Sequence, residues 1–222
     1  KFIGHLDIMR YFQKAFRRSR IDIAYTEGFS PHPVMSFAAP LGVGLESDGE
    51  YLDVELNTPE NMEEVKYKLN EQMAEGMEVL SAVVLPEKSK SAMASVAAAG
   101  YYITFRNEFT PPEGWQEAVE RFLAKEKIMV EKQTKKSMME IDLKPAIYDF
   151  RLSSYQEKDC LYLMVNASSA GNVKPAMVVE ALFREQELPF DPAWLMVTRE
   201  DTYLNRGTES EPEFVPMDGQ GK

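Results

Sequence analysis

Two histidines are all the imidazole chemistry this 222-residue chain offers, and both lie within its first 32 residues. His5 stands with Asp7 and Arg10 in Gly4-His5-Leu6-Asp7-Ile8-Met9-Arg10. His32 sits in Ser30-Pro31-His32-Pro33, a few residues after Tyr25 and Glu27. Two imidazoles and a carboxylate could ligate a metal, or could move protons on a ribose hydroxyl beside a phosphate. The plainer account has His5 cap a helix and pairs Asp7 with Arg10 on its surface. His32 is then an exposed turn residue. His5, Asp7 and His32 are the candidates for catalysis. No metal is assigned to them, no cofactor is expected, and whether the chain is an enzyme stays open.

The alternative to catalysis is binding, and charge locates it. The chain carries a net charge of −11, which argues against a protein that coats nucleic acid over its whole surface. Residues 1–37 nevertheless hold Lys1, Arg10, Lys14, Arg17, Arg18 and Arg20 against Asp7, Asp22 and Glu27, a local charge of +3. Steering of a phosphate backbone depends on the local field, so a basic face on an acidic body suffices. Arg10, Lys14, Arg17, Arg18, Tyr25 and His32 are the expected RNA- or phosphate-binding residues of this region. Lys135, Lys136 and Lys144, in Glu131–Phe150, form a second basic insertion that could share a groove with the first; a solvated charge run is the competing account. Lys174 stands where Asn166–Pro175 joins a strand to a helix, a possible anion site. An ordinary capped turn explains it as well. Pro40-Leu41-Gly42-Val43-Gly44 has glycines that could admit a phosphate, but no helix follows, and a bend accounts for it better.

The elements that must position these residues follow from periodicity. Ile8, Met9, Phe12, Ala15 and Phe16 fall at helical spacing over 6–20, with Asp7 in the first turn and arginines in the last. Strands follow at 21–25 and 50–56, with Asp48-Gly49 as a hairpin signal. Thr58-Pro59 opens a helix with Met62, Val65, Leu69 and Met73 inward, and 77–85 is a buried strand. Lys1-Phe2-Ile3 resembles the end of a strand, so the N-terminal strand of this half is expected to be missing. A linker at 86–100 leads to a second set: strand 101–106, helix 113–127, strand 128–133, a hairpin over 148–167, helix 175–186 and strand 194–198. The expectation is an α+β protein of two ferredoxin-like (split βαβ) halves in tandem, 1–85 and 101–204, the first lacking its N-terminal strand. Residues 205–222 are expected to be a disordered tail.

Cys160 alone can make neither an internal disulfide nor a zinc site, and it suits a buried structural thiol in a reducing compartment. No apolar run approaches 18 residues. The expected setting is cytoplasmic, with no membrane contact.

Residues 2–56 carry a long set of motif pieces: Gly4-His5-Leu6-Asp7, Arg17-Arg18, Ala24-Tyr25-Thr26-Glu27-Gly28-Phe29, Pro31-His32-Pro33 and Ser36-Phe37. They resemble a radical-SAM-associated family of bacterial proteins, domains of unknown function encoded beside, or fused to, a radical SAM protein with a B12-binding-type domain. Ile141-Asp142-Leu143-Lys144-Pro145 adds a weaker likeness. The resemblance implies a cytoplasmic accessory protein whose partner is that radical SAM protein. With one cysteine, this chain cannot itself hold the cluster. The expected function is an RNA-binding module that presents tRNA or rRNA for modification. The alternatives are an RNA-processing or RNA-modifying enzyme using His5 and His32, or an adaptor that binds protein only.

Overall fold

The computed structural model describes residues 3–106, 114–133 and 137–218. Its elements begin with α1 (His5–Ser19), β1 (Met35–Phe37), β2 (Glu46–Ser47), β3 (Leu52–Val54), α2 (Met62–Asn70) and a one-turn α3 (Ala92–Ser95). Then come β4 (Ala98–Phe105), α4 (Trp115–Leu123), β5 (Met129–Gln133), β6 (Met138–Asp142), β7 (Ile147–Tyr155) and β8 (Lys158–Asn166). The last three are α5 (Pro175–Glu185), β9 (Leu195–Asn205) and β10 (Phe214–Pro216). The fold is α+β. The chain divides into two compact units, Lys1–Val43 with Tyr51–Met93, and Gly44–Glu50 with Ala94–Lys222.

In the first unit, the Gly4 carbonyl accepts from the amides of Asp7 and Ile8 and so starts α1 without a side-chain cap. The apolar stripe of the helix buries Ala15 and Phe16. Phe16, Ile21, Ile23, Val65 and Leu69 make the small core of this unit. Arg20 stops the helix in the left-handed region at φ 58°, a conformation that costs a non-glycine residue about 1 kcal/mol. β1 and β3 pair antiparallel, Met35 opposite Val54 and Phe37 opposite Leu52. Ile23 bridges Leu56, and Tyr25 bridges Pro33.

Three expectations for this unit fail, the first being the strand at 21–25, which makes only these isolated bridges. Thr58 does not cap the second helix: its hydroxyl donates to Asp22, and Asn61 caps α2 instead by accepting from the amides of Glu63 and Glu64. Residues 77–85 form no strand, and Leu80, Val83, Val84 and Leu85 are exposed. In the split βαβ order the last strand pairs with the first. No strand precedes α1 among the described residues.

In the second unit, β9-β4-β8-β7 form an antiparallel sheet with α4 between β4 and β7 and α5 between β8 and β9. That is split βαβ connectivity, with the β5–β6 ladder inserted after α4. One sheet face sends Tyr101, Ile103, Leu161 and Leu163 against Val119 and Phe122 of α4 and Leu182 and Phe183 of α5, the two-layer arrangement that buries both apolar surfaces. Pro175 opens α5 at its first position, where its missing N–H is not needed.

Three further boundaries differ from expectation. Asp48-Gly49 makes no hairpin: β2 pairs parallel with β9, Glu46 opposite Thr198, and the Asp48 amide donates to the Arg199 carbonyl. The segment read as linker ends inside the core, because Ala98 and Ala99 open β4 and have no exposed surface. The segment read as a tail supplies β10, antiparallel on the edge of β9, with Phe214 opposite Asn205.

Candidate functional site

α1 displays its basic residues in a row. Arg10, Lys14 and Arg17 are exposed, and at 100° per residue they span about 60° of the helix surface. Asp7 lies beside them and accepts from Arg10 at 3.3 Å, the expected i,i+3 pair, with both side chains in solvent. Arg18 has a different task. Its Nε donates to the Gln72 Oε1 at 3.1 Å and its Nη2 to the Gln72 carbonyl at 3.2 Å, tying the last turn of α1 to the end of α2. Tyr11 does the same from the middle of the helix, accepting from the Ala74 amide at 2.6 Å. A helix fixed at these points can hold its outer row of cations at set spacing.

The loop at 26–32 is built by Thr26. Its amide donates to the His32 carbonyl at 2.9 Å, and its hydroxyl accepts from the His32 amide at 3.1 Å. The His32 Nδ1 lies 3.3 Å from that hydroxyl and 3.2 Å from the Ser30 carbonyl. With the Tyr25–Pro33 bridge below, this closes a tied loop. Gly28 turns it at φ 118°, a value open to glycine. Tyr25 and His32 are exposed, and Phe29 lies at the tip.

His5 does not cap the helix. It is the first helical residue, half-buried, with its ring edge-on to Phe37 at 6.0 Å, and Phe37 packs in turn on Phe12. The structure gives His5 an aromatic neighbour and His32 its own loop, and no hydrogen bond joins the two among the described residues. Nor do the described residues contain a group of three or more His, Cys, Asp or Glu that could hold a metal.

The second unit holds the remaining candidates. Lys144 is half-buried, with its Nζ donating to the Leu123 carbonyl. Asp142 receives the amides of Ile128 at 2.8 Å and Lys144 at 3.0 Å, and these two donors hold its carboxyl below the usual carboxylate range. Lys174 is exposed as the residue preceding α5 and makes no side-chain cap. Lys135 and Lys136 lie outside the described residues. Cys160 is buried, and burial pushes its thiol up, away from the thiolate a nucleophile needs.

Sequence reasoning did not anticipate a cluster around Glu200. Tyr102 donates to its Oε1 at 3.2 Å, and Tyr162 and Tyr203 donate to its Oε2 at 2.9 and 2.8 Å. Tyr102 and Tyr162 are direct partners in the β4–β8 ladder, Arg151 lies 4.2 Å over the Tyr162 ring, and Tyr155 stacks on Tyr102 at 4.6 Å. Burial first, then the Glu200 carboxylate, push the Tyr162 phenol well above its ordinary range; burial does the same to Tyr203. Gly100 leaves room for the cluster, since a Cβ there would sit 2.7 Å from both the Glu200 Oε2 and the Tyr162 hydroxyl and would displace them. Nearby in sequence, Arg199 is 5 % exposed and donates to both Glu50 oxygens at 2.8 and 3.0 Å. Burial raises the Glu50 pKa, and Arg199 partly offsets it. Strand alternation could have put Tyr102 and Tyr162 on one face. Their convergence on Glu200 depends on pairing between β4 and β9, which no local pattern encodes. Neutral phenols closed on a carboxylate brace the sheet.

A family model described as "uncharacterized protein conserved in bacteria", DUF2344, matches residues 1–175, and the chain belongs to that family. No curated protein matches the chain. The match spans α1 and the Thr26–His32 loop and stops before Arg199, Glu200 and Tyr203. No helix of the described residues is long and apolar enough to cross a membrane.

Proposed function

We propose that the chain is an RNA-binding accessory protein, and that the outer row of α1 with the Thr26–His32 loop is its binding surface. The carrying observation is the row itself: Arg10, Lys14 and Arg17 exposed on one helix face, within a segment whose charge opposes the −11 of the whole. Cations in such a row neutralise successive phosphates and release their counterions, which drives sequence-independent affinity. The motif pieces in residues 2–56 favour a radical SAM protein of the B12-binding type as the partner that receives the RNA, tRNA or rRNA, in the cytoplasm. His32 and Tyr25 contribute polar and stacking contacts.

The enzyme reading draws less support. An acid–base pair needs each imidazole within reach of the proton it transfers on a common substrate, and His5 packs on Phe37 while His32 is tied to Thr26 and Ser30. A protein-only adaptor would leave the basic row without a task.

The test is binding of purified chain to bulk cellular RNA over a range of salt. Lys14→Ala with Arg17→Ala is expected to weaken binding and to lower the slope of log affinity against log salt by about 1 for each phosphate no longer neutralised. Arg18→Ala is the unsuitable variant, since it also releases α1 from Gln72. Wild-type protein that shows no salt-sensitive RNA binding removes the proposal. Co-purification with the radical SAM protein in the absence of RNA would favour the adaptor.

A further inference from the structure

Phe29 is 112 % exposed, more than in an extended reference chain. A phenyl ring left in water forgoes the hydrophobic gain that a loop residue can make by folding back. This loop does not fold back, and its hydrogen bonds show why. The Thr26 amide and hydroxyl, the His32 amide and carbonyl, and the Tyr25–Pro33 bridge tie both ends of the loop. Pro31 and Pro33 stiffen one arm. Gly28 reverses the chain at φ 118° with nothing within 4 Å of where a Cβ would be, so its role is the turn rather than close packing. The loop is pre-shaped to hold one ring away from the body.

The neighbours of the ring decide what it fits. A protein-docking patch needs contiguous apolar surface. The loop around Phe29 is instead polar in sequence, Thr26-Glu27-Gly28 before it and Ser30 after it, and its exposed companions in the loop are the rings of Tyr25, 48 % exposed, and His32. Single planar rings among polar groups suit the face of a nucleobase, which stacks on an aromatic ring without apolar surroundings. We infer that Phe29 is a base-stacking residue, and that the RNA taken by this surface presents an unpaired base to it. The ligand class is thereby narrowed to single-stranded or looped RNA, because a base within a duplex has no free face. The inference rests on the reading of this segment as an RNA surface.

Two probes test it: a labelled single-stranded oligouridylate of about twelve nucleotides, long enough for one binding site, and an RNA duplex of equal length. Phe29→Ala is expected to weaken oligouridylate binding about tenfold while leaving the salt slope and the weaker duplex binding unchanged. Phe29→Trp should restore affinity, and its indole fluorescence should be quenched as the single strand binds. The chain's own two tryptophans, Trp115 and Trp194, lie in the other unit, and wild-type protein serves as the blank. If Phe29→Ala binds oligouridylate as wild type does, with the salt dependence intact, the stacking role is overturned and the RNA surface survives. Failure of wild-type protein to bind either probe overturns both. Circular dichroism of Phe29→Ala, expected to match wild type because the ring packs on nothing, separates lost stacking from misfolding.

Discussion

At the scale of residues, the three phenols on Glu200 make the clearest quantitative statement. Tyr162 and Tyr203 stay neutral in the folded chain at pH values where free tyrosine, with a pKa near 10, ionises. Their folded pKa values lie above the unfolded ones, so the stabilisation is full below about pH 10 and is lost as pH rises beyond it. Unfolding free energies from urea titrations at pH 9 to 11 should fall, by on the order of 1 kcal/mol per pH unit for Tyr162 alone. Tyr162→Phe should flatten that decline, and a decline of the same steepness in the variant would deny Tyr162 the role. Residue chemistry was only partly legible beforehand. The Asp7–Arg10 pair and the burial of Cys160 follow from spacing and strand context. Arg18 looked like one more surface cation, and only the packing of α1 on α2 brings it to Gln72.

At the scale of elements, α1, α5 and the β7–β8 hairpin were readable because their causes are local: a 3.6-residue stripe, a proline at N1, two alternating runs. The hairpin expected over 148–167 forms, as β7 and β8. Its turn takes two residues, with Gln156 and Glu157 both left-handed at φ 49° and 61°. Two-residue turns of this hand favour glycine at the second position, and neither residue here is glycine or asparagine. Glu157→Gly should therefore stabilise the second unit by about 0.5–1 kcal/mol, read as a higher urea midpoint at unchanged slope. A lower midpoint would mean that the side chain of Glu157 contributes more than its backbone strain costs. Residues 77–85 carry the opposite lesson. An apolar run predicted a buried strand, yet a strand exists only when another backbone accepts its hydrogen bonds.

At the scale of the whole molecule, the two units differ sharply in what they bury. Among the described residues, the main core cluster of the first holds five buried apolar residues, while that of the second holds twenty-one, Phe122, Leu163 and Phe183 among them. Buried apolar area sets most of the folding free energy, so the first unit should unfold at lower denaturant or temperature. Both tryptophans belong to the second unit. Helix content followed by far-ultraviolet dichroism should thus begin to fall, as α1 and α2 melt, before tryptophan fluorescence changes. Coincident transitions by the two probes would show one cooperative unit instead.

Composition and periodicity alone determined the α+β class, the positions of the long helices and the basic character of residues 1–37. Each depends on residues close together in the chain, whose side chains meet by geometry of the helix or turn itself. Tertiary structure decided the rest. It moved residues 44–50 to the parallel edge of β9, drew Phe214–Pro216 into the sheet, and closed three tyrosines on Glu200. It also held Phe29 outward on a loop whose ties are hydrogen bonds between Thr26 and His32. Those outcomes depend on which distant backbones pair, a choice made by burial of the whole core, and no local stretch of sequence contains it.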